Sequence, residues 1–342
     1  MENVNNCQKI KNYDLVKAIE TSKYYYHYDL LTGLSGALCY IATCSDNSKD
    51  FDMIHARIMD GLQNSKKAIA ISKGILGLGL SYLFCLKQPN VEGDANDLLE
   101  DLDKIIFRYA TTLEVKGNKD RDQAIEILVY LSLRLKFDFR TDEMRFFIEQ
   151  TLISLINRTY KTLSFDFFLE RFPYSILAVD SLFLESLVTM ASHNKYEIRI
   201  QRIFEEICMR YVSVMPYMQV NRLRRLVTLL YASKYIPLGG RYKDYIEMLK
   251  ANISLAEIFK NEVNGSNIFL KEGLGGVCLL AVLANRLIGN NLFNIQPKEI
   301  LSMVNSSPYF DHIENDLSKI PIGINGLAGL KLLIDYLEHE KN

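Results

Sequence analysis

The chain has no tryptophan, few prolines and few cysteines, and each shortage narrows the class of protein. Seven prolines in 342 residues leave room for long uninterrupted helices. The six cysteines are widely spread and form no C-x-x-C pair, so the sequence predicts neither a disulfide framework nor a zinc site built from local ligands. We expect these cysteines to be buried, reduced thiols.

Strong net charge and long apolar runs are also missing. Forty basic residues against 41 acidic ones give a formal charge of -1, so the chain lacks the positive charge typical of nucleic-acid or anionic-membrane binders. The longest apolar stretches, such as residues 74–86, are about a dozen residues long and too short for a membrane span. Residues 1–20 lack the apolar run of a secretory signal. We therefore expect a cytoplasmic protein without membrane insertion.

Apolar residues recur every three or four positions, and this period predicts helices. Residues 122–137 and 143–155 show it, and the first stretch is apolar enough to be buried on more than one face. Alternation of apolar and polar residues, typical of a half-buried strand, is missing. The sequence therefore predicts an all-α fold. We expect a single domain over residues 1–342, in which residues 1–20 form an N-terminal lead-in.

A repeated motif organises the chain, because a G-x-x-G pair followed by an apolar run occurs four times. The copies begin at Gly33, Gly74, Gly273 and Gly326. Three apolar helices without glycine, predicted near residues 123–137, 174–188 and 222–236, fit into the long gap between the second and third copies. This spacing predicts about six to seven helical hairpins, stacked as an open solenoid or as a closed ring with the glycine-marked helices inside.

The glycine pairs need a compensating role, because a glycine inside a helix costs about 1 kcal/mol relative to alanine. Tight packing against a neighbouring helix is one such role. A second is a mouth at the helix starts that accepts a ligand. A phosphate-binding loop is not predicted, because the G-x-x-x-x-G-K-[ST] pattern and a preceding strand are both missing.

Two stretches of the chain carry a family resemblance. Asp29-Leu-Leu-Thr-Gly-Leu-Ser-Gly-Ala-Leu and Gly323-Ile-Asn-Gly-Leu-Ala-Gly-Leu-Lys-Leu-Leu-Ile-Asp-Tyr-Leu are similar to the first and last repeats of the lanthionine synthetase C-like family. The resemblance implies an α/α toroid associated with the modification of ribosomally made peptides. Family enzymes use zinc to hold the thiolate that closes a thioether ring, and their ligands come from Trp-Cys-x-Gly and Cys-His-Gly motifs.

The chain departs from that family at the zinc ligands. Lys271 and Glu272 stand before Gly273 where Cys-His is expected, and residues 218–231 contain no cysteine. Lysine and glutamate do not supply the soft, deprotonated ligands that this chemistry needs. We therefore predict a degenerate member with no zinc, no cofactor and no catalytic residues. It would bind a precursor peptide and present it to a peptide-modifying enzyme.

We predict the peptide site at the residues that directly precede the first glycine of each motif. These residues are Thr32, Lys73, Glu272 and Asn325. In a toroid they begin the inner helices and face one mouth, where Lys73 and Glu272 add one charge of each sign.

Two enzymatic alternatives stay open from the sequence. A thioether cyclase would need relocated zinc ligands, and the candidates are Cys208, Cys278 and His193. A carbohydrate-active toroid would need two carboxylates that flank the scissile bond, and the candidates are Asp180, Glu185 and Glu272. Sugar sites usually stack rings on tryptophan, which this chain lacks.

Two binding alternatives also stay open. Arg222, Arg224 and Arg225 lie within four residues, a spacing that suits a grip on an acidic peptide or a phosphate as well as a solvated helix face. The other alternative is a helical-repeat interaction protein with a purely structural role.

Overall fold

The computed structural model describes residues 15–24, 27–44, 48–63, 68–193, 197–263, 267–295, 298, 302–303, 306–307 and 320–339. Within these ranges the chain forms fourteen α-helices, a 3₁₀ turn and a π-helical turn, and it contains no strand. The predicted all-α class is therefore confirmed. None of the described helices combines the length and the apolar character that crossing a lipid bilayer requires.

The helices range from a single turn to five turns or more. In chain order they are α1 (Leu15–Thr21), α2 (Leu34–Thr43), α3 (Ser48–Gln63), α4 (Ile75–Cys85), α5 (Ala95–Thr112), α6 (Asn118–Arg134), α7 (Asp142–Lys161), α8 (Val179–Ala191), α9 (Glu197–Tyr211), α10 (Gln219–Ser233), α11 (Gly240–Ala251), α12 (Leu255–Glu257), α13 (Leu274–Ile288) and α14 (Leu327–His339). The 3₁₀ turn covers Phe165–Phe168, and the π-helical turn covers Ile258–Glu262.

Each glycine motif lies at a helix start, as the sequence predicts. Gly33, Gly74 and Gly273 are the N-cap residues of α2, α4 and α13, and Gly326 directly precedes α14. An alanine methyl group at Gly33 would lie 2.1 Å from the carbonyl oxygen of His27, so the backbone of the preceding turn fills that space. The first glycine of each motif thus permits close approach of its own preceding loop.

The helices predicted without glycine are also present, with one difference. Residues 123–137, 143–155 and 222–236 correspond to α6, α7 and α10. The helix predicted from residue 174 begins only at Val179. Residues 174–178 form no helix: Ile176 N donates to the carbonyl oxygen of Lys271 (3.0 Å), in the turn that precedes α13, and Ala178 N donates to that of Ser175 (3.1 Å).

Seven apolar helices pack against one another in order along the chain. In this series α2 packs on α4, α4 on α6, α6 on α8, α8 on α10, α10 on α13 and α13 on α14, and α14 also packs against α2. The helices α3, α5, α7, α9 and α11 each pack against the member of the series that precedes them. Most residues of α4 and α8, two members of this series, are buried.

The described buried apolar side chains form one contiguous core. Helix α1, which includes part of the predicted lead-in, contributes Leu15, Ala18 and Ile19 to this core. Side chains cap two of the intervening helices: Asp94 accepts a hydrogen bond from Asn96 N (2.9 Å) at the start of α5, and Thr141 accepts one from Met144 N (3.2 Å) at the start of α7.

Candidate functional site

The turns that precede the glycine-marked helices meet at one end of the molecule. Leu30, before α2, lies against Gly77 of α4, since an alanine methyl group at Gly77 would come within 2.8 Å of Leu30 Cβ. The carbonyl oxygen of Leu30 accepts a hydrogen bond from Ile324 N (3.0 Å), before α14. Leu270, before α13, lies against Gly329 of α14 in the same way. We call this region the helix-start end.

Two of the four predicted peptide-binding residues are already engaged in the turns. The Thr32 hydroxyl lies 3.0 and 2.9 Å from the two carboxylate oxygens of Asp29, and Thr32 N donates to the same carboxylate (2.7 Å). The side-chain oxygen of Asn325 accepts a hydrogen bond from Lys271 N (2.8 Å). These bonds hold the turn before α2 in shape and tie the turn before α14 to the turn before α13.

The two charged predicted residues differ in their surroundings. Lys73 is exposed. Glu272 is partly buried, and its carboxylate pairs with Lys271 Nζ at 2.5 Å. The charge of Glu272 is therefore largely balanced by its neighbour, while the ammonium group of Lys73 projects into solvent.

Residues 165–178, which we call the crossing segment, reach across the helix-start end. At the middle of the segment, Arg171 pairs with Asp122 of α6 at 3.5 Å. Near its C-terminal end, Ile176 N donates to the carbonyl oxygen of Lys271 (3.0 Å), and the Tyr174 hydroxyl donates to the carbonyl oxygen of Gly273. The segment therefore connects the start of α6 to the start of α13. The segment carries no repeat, so no sequence motif indicates its role.

A cavity of about 160 Å³ lies between the crossing segment and the starts of α8 and α10. Its walls combine apolar side chains with five charged ones. The charged residues are Glu170, Arg171, Asp180, Arg224 and Arg225. An apolar pocket with a few convergent polar groups is the usual form of a ligand site.

Glu170 anchors the start of α10. Its carboxylate accepts hydrogen bonds from Tyr217 N (2.8 Å), Met218 N (2.9 Å) and the side-chain amide of Asn221 (2.8 Å). The unpaired backbone N–H groups at a helix start favour a carboxylate in this position. The negative charge of Glu170 therefore stabilises the start of α10.

Arg224 and Glu185 form a pair beside the cavity. The guanidinium contacts both carboxylate oxygens, at 2.5 and 3.0 Å, and its Nε donates to the carbonyl oxygen of Ile176 (2.9 Å). The Thr228 hydroxyl donates to the same carboxylate (2.9 Å). Glu185 is thus held by this pair, although the sequence left it open as a catalytic carboxylate.

The other two arginines of the predicted cluster bind backbone. Arg222 donates to the carbonyl oxygens of Pro216 (2.8 Å) and Tyr217 (2.9 Å) and to a third carbonyl group before α12. Arg225 donates to the carbonyl oxygens of Tyr211, Val214 and Phe168. These contacts indicate a structural role for the cluster, because the guanidinium groups connect the loops that surround the start of α10.

Asp180 lies in the first turn of α8 and accepts a hydrogen bond from Ser181 N (2.9 Å). Burial raises the pKa of its carboxyl group above the ordinary value, and the positive charges of Arg225, Arg224 and Arg171 oppose that shift. Asp180 is therefore the cavity carboxyl group that the fold compensates least.

The residues considered as relocated zinc ligands are not grouped as a metal site. Cys208 and Cys278 are buried, and burial raises the pKa of each thiol to about 12. Burial also lowers the pKa of His193. Over the described ranges, no three His, Cys, Asp or Glu side chains come close enough to hold a metal ion.

Comparison with known proteins leaves the function to be inferred from the residues themselves. No protein-family model matches the chain, and no curated protein matches it at a significant level.

Proposed function

We propose that the seven apolar helices form the inner layer of an α/α toroid like that of the lanthionine synthetase C-like family. The packing of α14 on α2 supports this arrangement, because it joins the last member of the series to the first. Backbone hydrogen bonds at the same junction add support: Ile322 N donates to Thr32 O (3.1 Å), and Asn325 N donates to Leu31 O (2.7 Å). Residues 1–342 would then make up one toroid domain.

We propose that this protein binds a precursor peptide at the helix-start end and presents it to a peptide-modifying enzyme. The observation that carries the proposal is a group of exposed aromatic side chains on and beside the crossing segment. Phe165, Phe172 and Tyr217 expose 52%, 64% and 85% of their surface. Exposed aromatic groups beside charged residues are typical of peptide-binding surfaces, since they bury large apolar areas when the partner docks.

In this proposal Lys73 and Glu272 orient the peptide from the edge of the same surface. Charges at the rim of an interface act chiefly on orientation and association rate. Thr32 and Asn325 act indirectly, because their side chains hold the turns in place.

The experiment is a titration with short, fluorescein-labelled synthetic peptides rich in Cys, Ser and Thr, followed by fluorescence anisotropy. We expect the double variant Lys73→Ala and Glu272→Ala to weaken binding about tenfold. The matched control is Lys243→Ala with Asp244→Ala, which removes one charge of each sign from exposed positions of α11. Equal affinities for the two double variants would overturn the proposed site.

Zinc-dependent cyclisation is not part of this proposal, because Lys271 and Glu272 occupy the Cys-His position of the family motif. Elemental mass spectrometry of the purified, tag-free protein tests this point directly. One equivalent of zinc per chain would contradict the proposal that this protein lacks the zinc site, and it would favour a cyclase with relocated ligands.

A further inference from the structure

A second cavity shares no residue with the crossing segment. It has a volume of about 150 Å³ and lies in the groove between α5 and α7. Its apolar wall comes from these two helices and from α6, through Phe107, Leu131, Met144, Phe147 and Ile148. A cavity of roughly this size holds a group as large as benzene, which matches one apolar side chain.

The polar side chains in the wall of this cavity are engaged by the fold. Asp103 pairs with Arg134 Nε at 2.9 Å and accepts a hydrogen bond from the Tyr130 hydroxyl at 2.5 Å. Lys104 Nζ lies 2.7 Å from a carboxylate oxygen of Glu100. A ligand that needs hydrogen bonds would have to displace these partners, so the wall favours an apolar occupant.

Aromatic side chains at the mouth of the cavity are exposed to solvent. Phe147 and Phe146 expose 58% and 54% of their surface. The ring of Phe147 lies between two others, with its centroid 6.4 Å from that of Phe107 and 6.3 Å from that of Phe146. Large apolar side chains that cluster on a surface mark an interaction site, whereas isolated ones do not.

Negative charge exceeds positive charge around this mouth. Three carboxylates of α5 share two cations through ion pairs. The carboxylates are those of Asp97, Glu100 and Asp101, and the cations are Lys104 and Arg140. Asp142 and Glu143 are exposed in the first turn of α7 and have no ion pair in the part of the chain that the structure describes. Arg108, exposed one residue after Phe107, does not offset this excess.

This charge selects among the possible occupants of the groove. In a two-fold dimer the same carboxylates would face one another, so the charge disfavours a second copy of this chain. It disfavours an anionic lipid surface for the same reason. A basic segment is attracted instead. A groove between two helices accepts the apolar face of a third helix, whose anchor side chains recur every three or four residues.

We propose that the groove between α5 and α7 docks a basic amphipathic helix of a partner protein. One apolar side chain of that helix fills the cavity against Phe147 and Met144, and its lysine or arginine side chains face the carboxylates at the rim. The groove shares no residue with the proposed peptide site, so the two sites can be tested separately.

The probe is a fluorescein-labelled synthetic peptide of about 15 residues, built from leucine and lysine in the order that gives a helix one apolar face. One comparison peptide has glutamate at every lysine position, and another has the same composition in scrambled order. By fluorescence anisotropy, we expect the basic amphipathic peptide to bind the full chain at least about tenfold more tightly than either. Absence of binding, or equal affinity for the basic and acidic peptides, would overturn the inference.

A variant at the mouth tests the position of the site. Phe147→Ser removes a half-exposed ring, and we expect it to weaken binding of the basic peptide about tenfold, because aromatic anchors dominate such contacts. Ile198→Ser is the matched control, since it removes an 87% exposed apolar side chain from α9. Equal effects of the two substitutions would overturn the inference. The double variant Lys73→Ala and Glu272→Ala should leave this binding unchanged, which separates the groove from the proposed peptide site.

A second pair of variants tests the charge at the rim. Asp142→Asn with Glu143→Gln should weaken binding several-fold and reduce its dependence on salt, because two attractive charges are lost. Asp244→Asn with Glu247→Gln removes the same charges from exposed positions of α11 and should have no effect. Analytical ultracentrifugation examines the alternative occupant: a dimer of the parent protein that Phe147→Ser abolishes would show a second copy in the groove and overturn the inference.

Discussion

Asp103, which is buried, and Asp180, which is half-buried, are carboxyl groups with very different partners. Asp103 pairs with Arg134 Nε at 2.9 Å and accepts a hydrogen bond from the Tyr130 hydroxyl at 2.5 Å. Asp180 accepts one backbone hydrogen bond, from Ser181, and has no ion pair in the described structure. Burial raises the pKa of both groups, but only Asp103 has a close cation that offsets the unfavourable free energy of ionisation. The fold therefore compensates the ionisation of Asp180 less than that of Asp103.

We expect Asp180→Asn to raise the free energy of unfolding at neutral pH by roughly 0.5–1 kcal/mol. The raised pKa means that the folded state binds the proton more tightly than the unfolded state. Stability of the parent protein is therefore highest below the unfolded pKa and is lost as the pH rises through the folded pKa. Asparagine does not titrate and can still accept the bond from Ser181 N.

Urea unfolding followed by far-ultraviolet circular dichroism measures this effect, since the chain has no tryptophan fluorescence. The increase in the free energy of unfolding should become smaller in acid, where Asp180 is protonated in both the folded and the unfolded state. Asp244→Asn, at an exposed position of α11, is the control. A loss of stability at neutral pH on Asp180→Asn would mean that the ionised carboxylate stabilises the fold.

At the residue scale the sequence predicts residue types better than partners. It identifies Arg222, Arg224 and Arg225 as a group, but it leaves open whether they bind a ligand or the fold. The acceptors of Arg225 include Phe168 and Tyr211, which lie far away along the chain. No local sequence pattern indicates that these carbonyl groups lie close together. The structural role of the three arginines is therefore visible only in the three-dimensional structure.

At the scale of helices and turns the glycine motif is the most informative signal. It correctly locates the starts of α2, α4, α13 and α14. Apolar periodicity locates α6, α7 and α10, but it extends α8 too far towards the N-terminus. Tyr174 and Ile176 are apolar enough to continue the helix pattern, but tertiary hydrogen bonds to Gly273 and Lys271 hold them in the crossing segment. Such contacts override local propensity.

The second glycine of each motif should be as sensitive to substitution as the first. An alanine methyl group at Gly77 of α4 would lie 2.1 Å from the carbonyl oxygen of Ile71 and 2.8 Å from Leu30 Cβ. We expect Gly77→Ala to destabilise the protein by about 1–3 kcal/mol, because the backbone at Ile71 can move away from the methyl group only at a large free-energy cost.

Gly240→Ala is the matched control, because a methyl group there meets nothing within 4 Å at the start of α11. It should be neutral or stabilising by up to about 1 kcal/mol, since alanine is the better helix former. Urea unfolding of both variants gives the comparison. Equal effects of the two substitutions would mean that the loop before α4 is not packed against Gly77.

At the scale of the whole molecule, the cavity is the feature that the sequence could not predict. Its walls come from residues 169–181 and 216–225, and hydrogen bonds of Glu170 to the start of α10 bring these ranges together. The predicted residues Thr32, Glu272 and Asn325 lie in turns at the same end, since Ile176 joins the crossing segment to Lys271. The glycine repeats predict where the helices start. They do not predict which irregular segment packs across the helix starts.

The packing of α14 on α2 makes a prediction about the stability of the whole series. Gly323 lies at this junction, where an alanine methyl group would come within 2.7 Å of the carbonyl oxygens of Leu30 and Leu31. If the seven helices close on themselves, Gly323→Ala leaves both α2 and α14 one neighbour short. We therefore expect faster amide hydrogen exchange in both helices, measured by mass spectrometry, with little change in α9. The control is Gly239→Ala, where a methyl group meets nothing within 4 Å. Faster exchange in α14 alone would indicate an open stack, in which loss of the last helix leaves the first undisturbed.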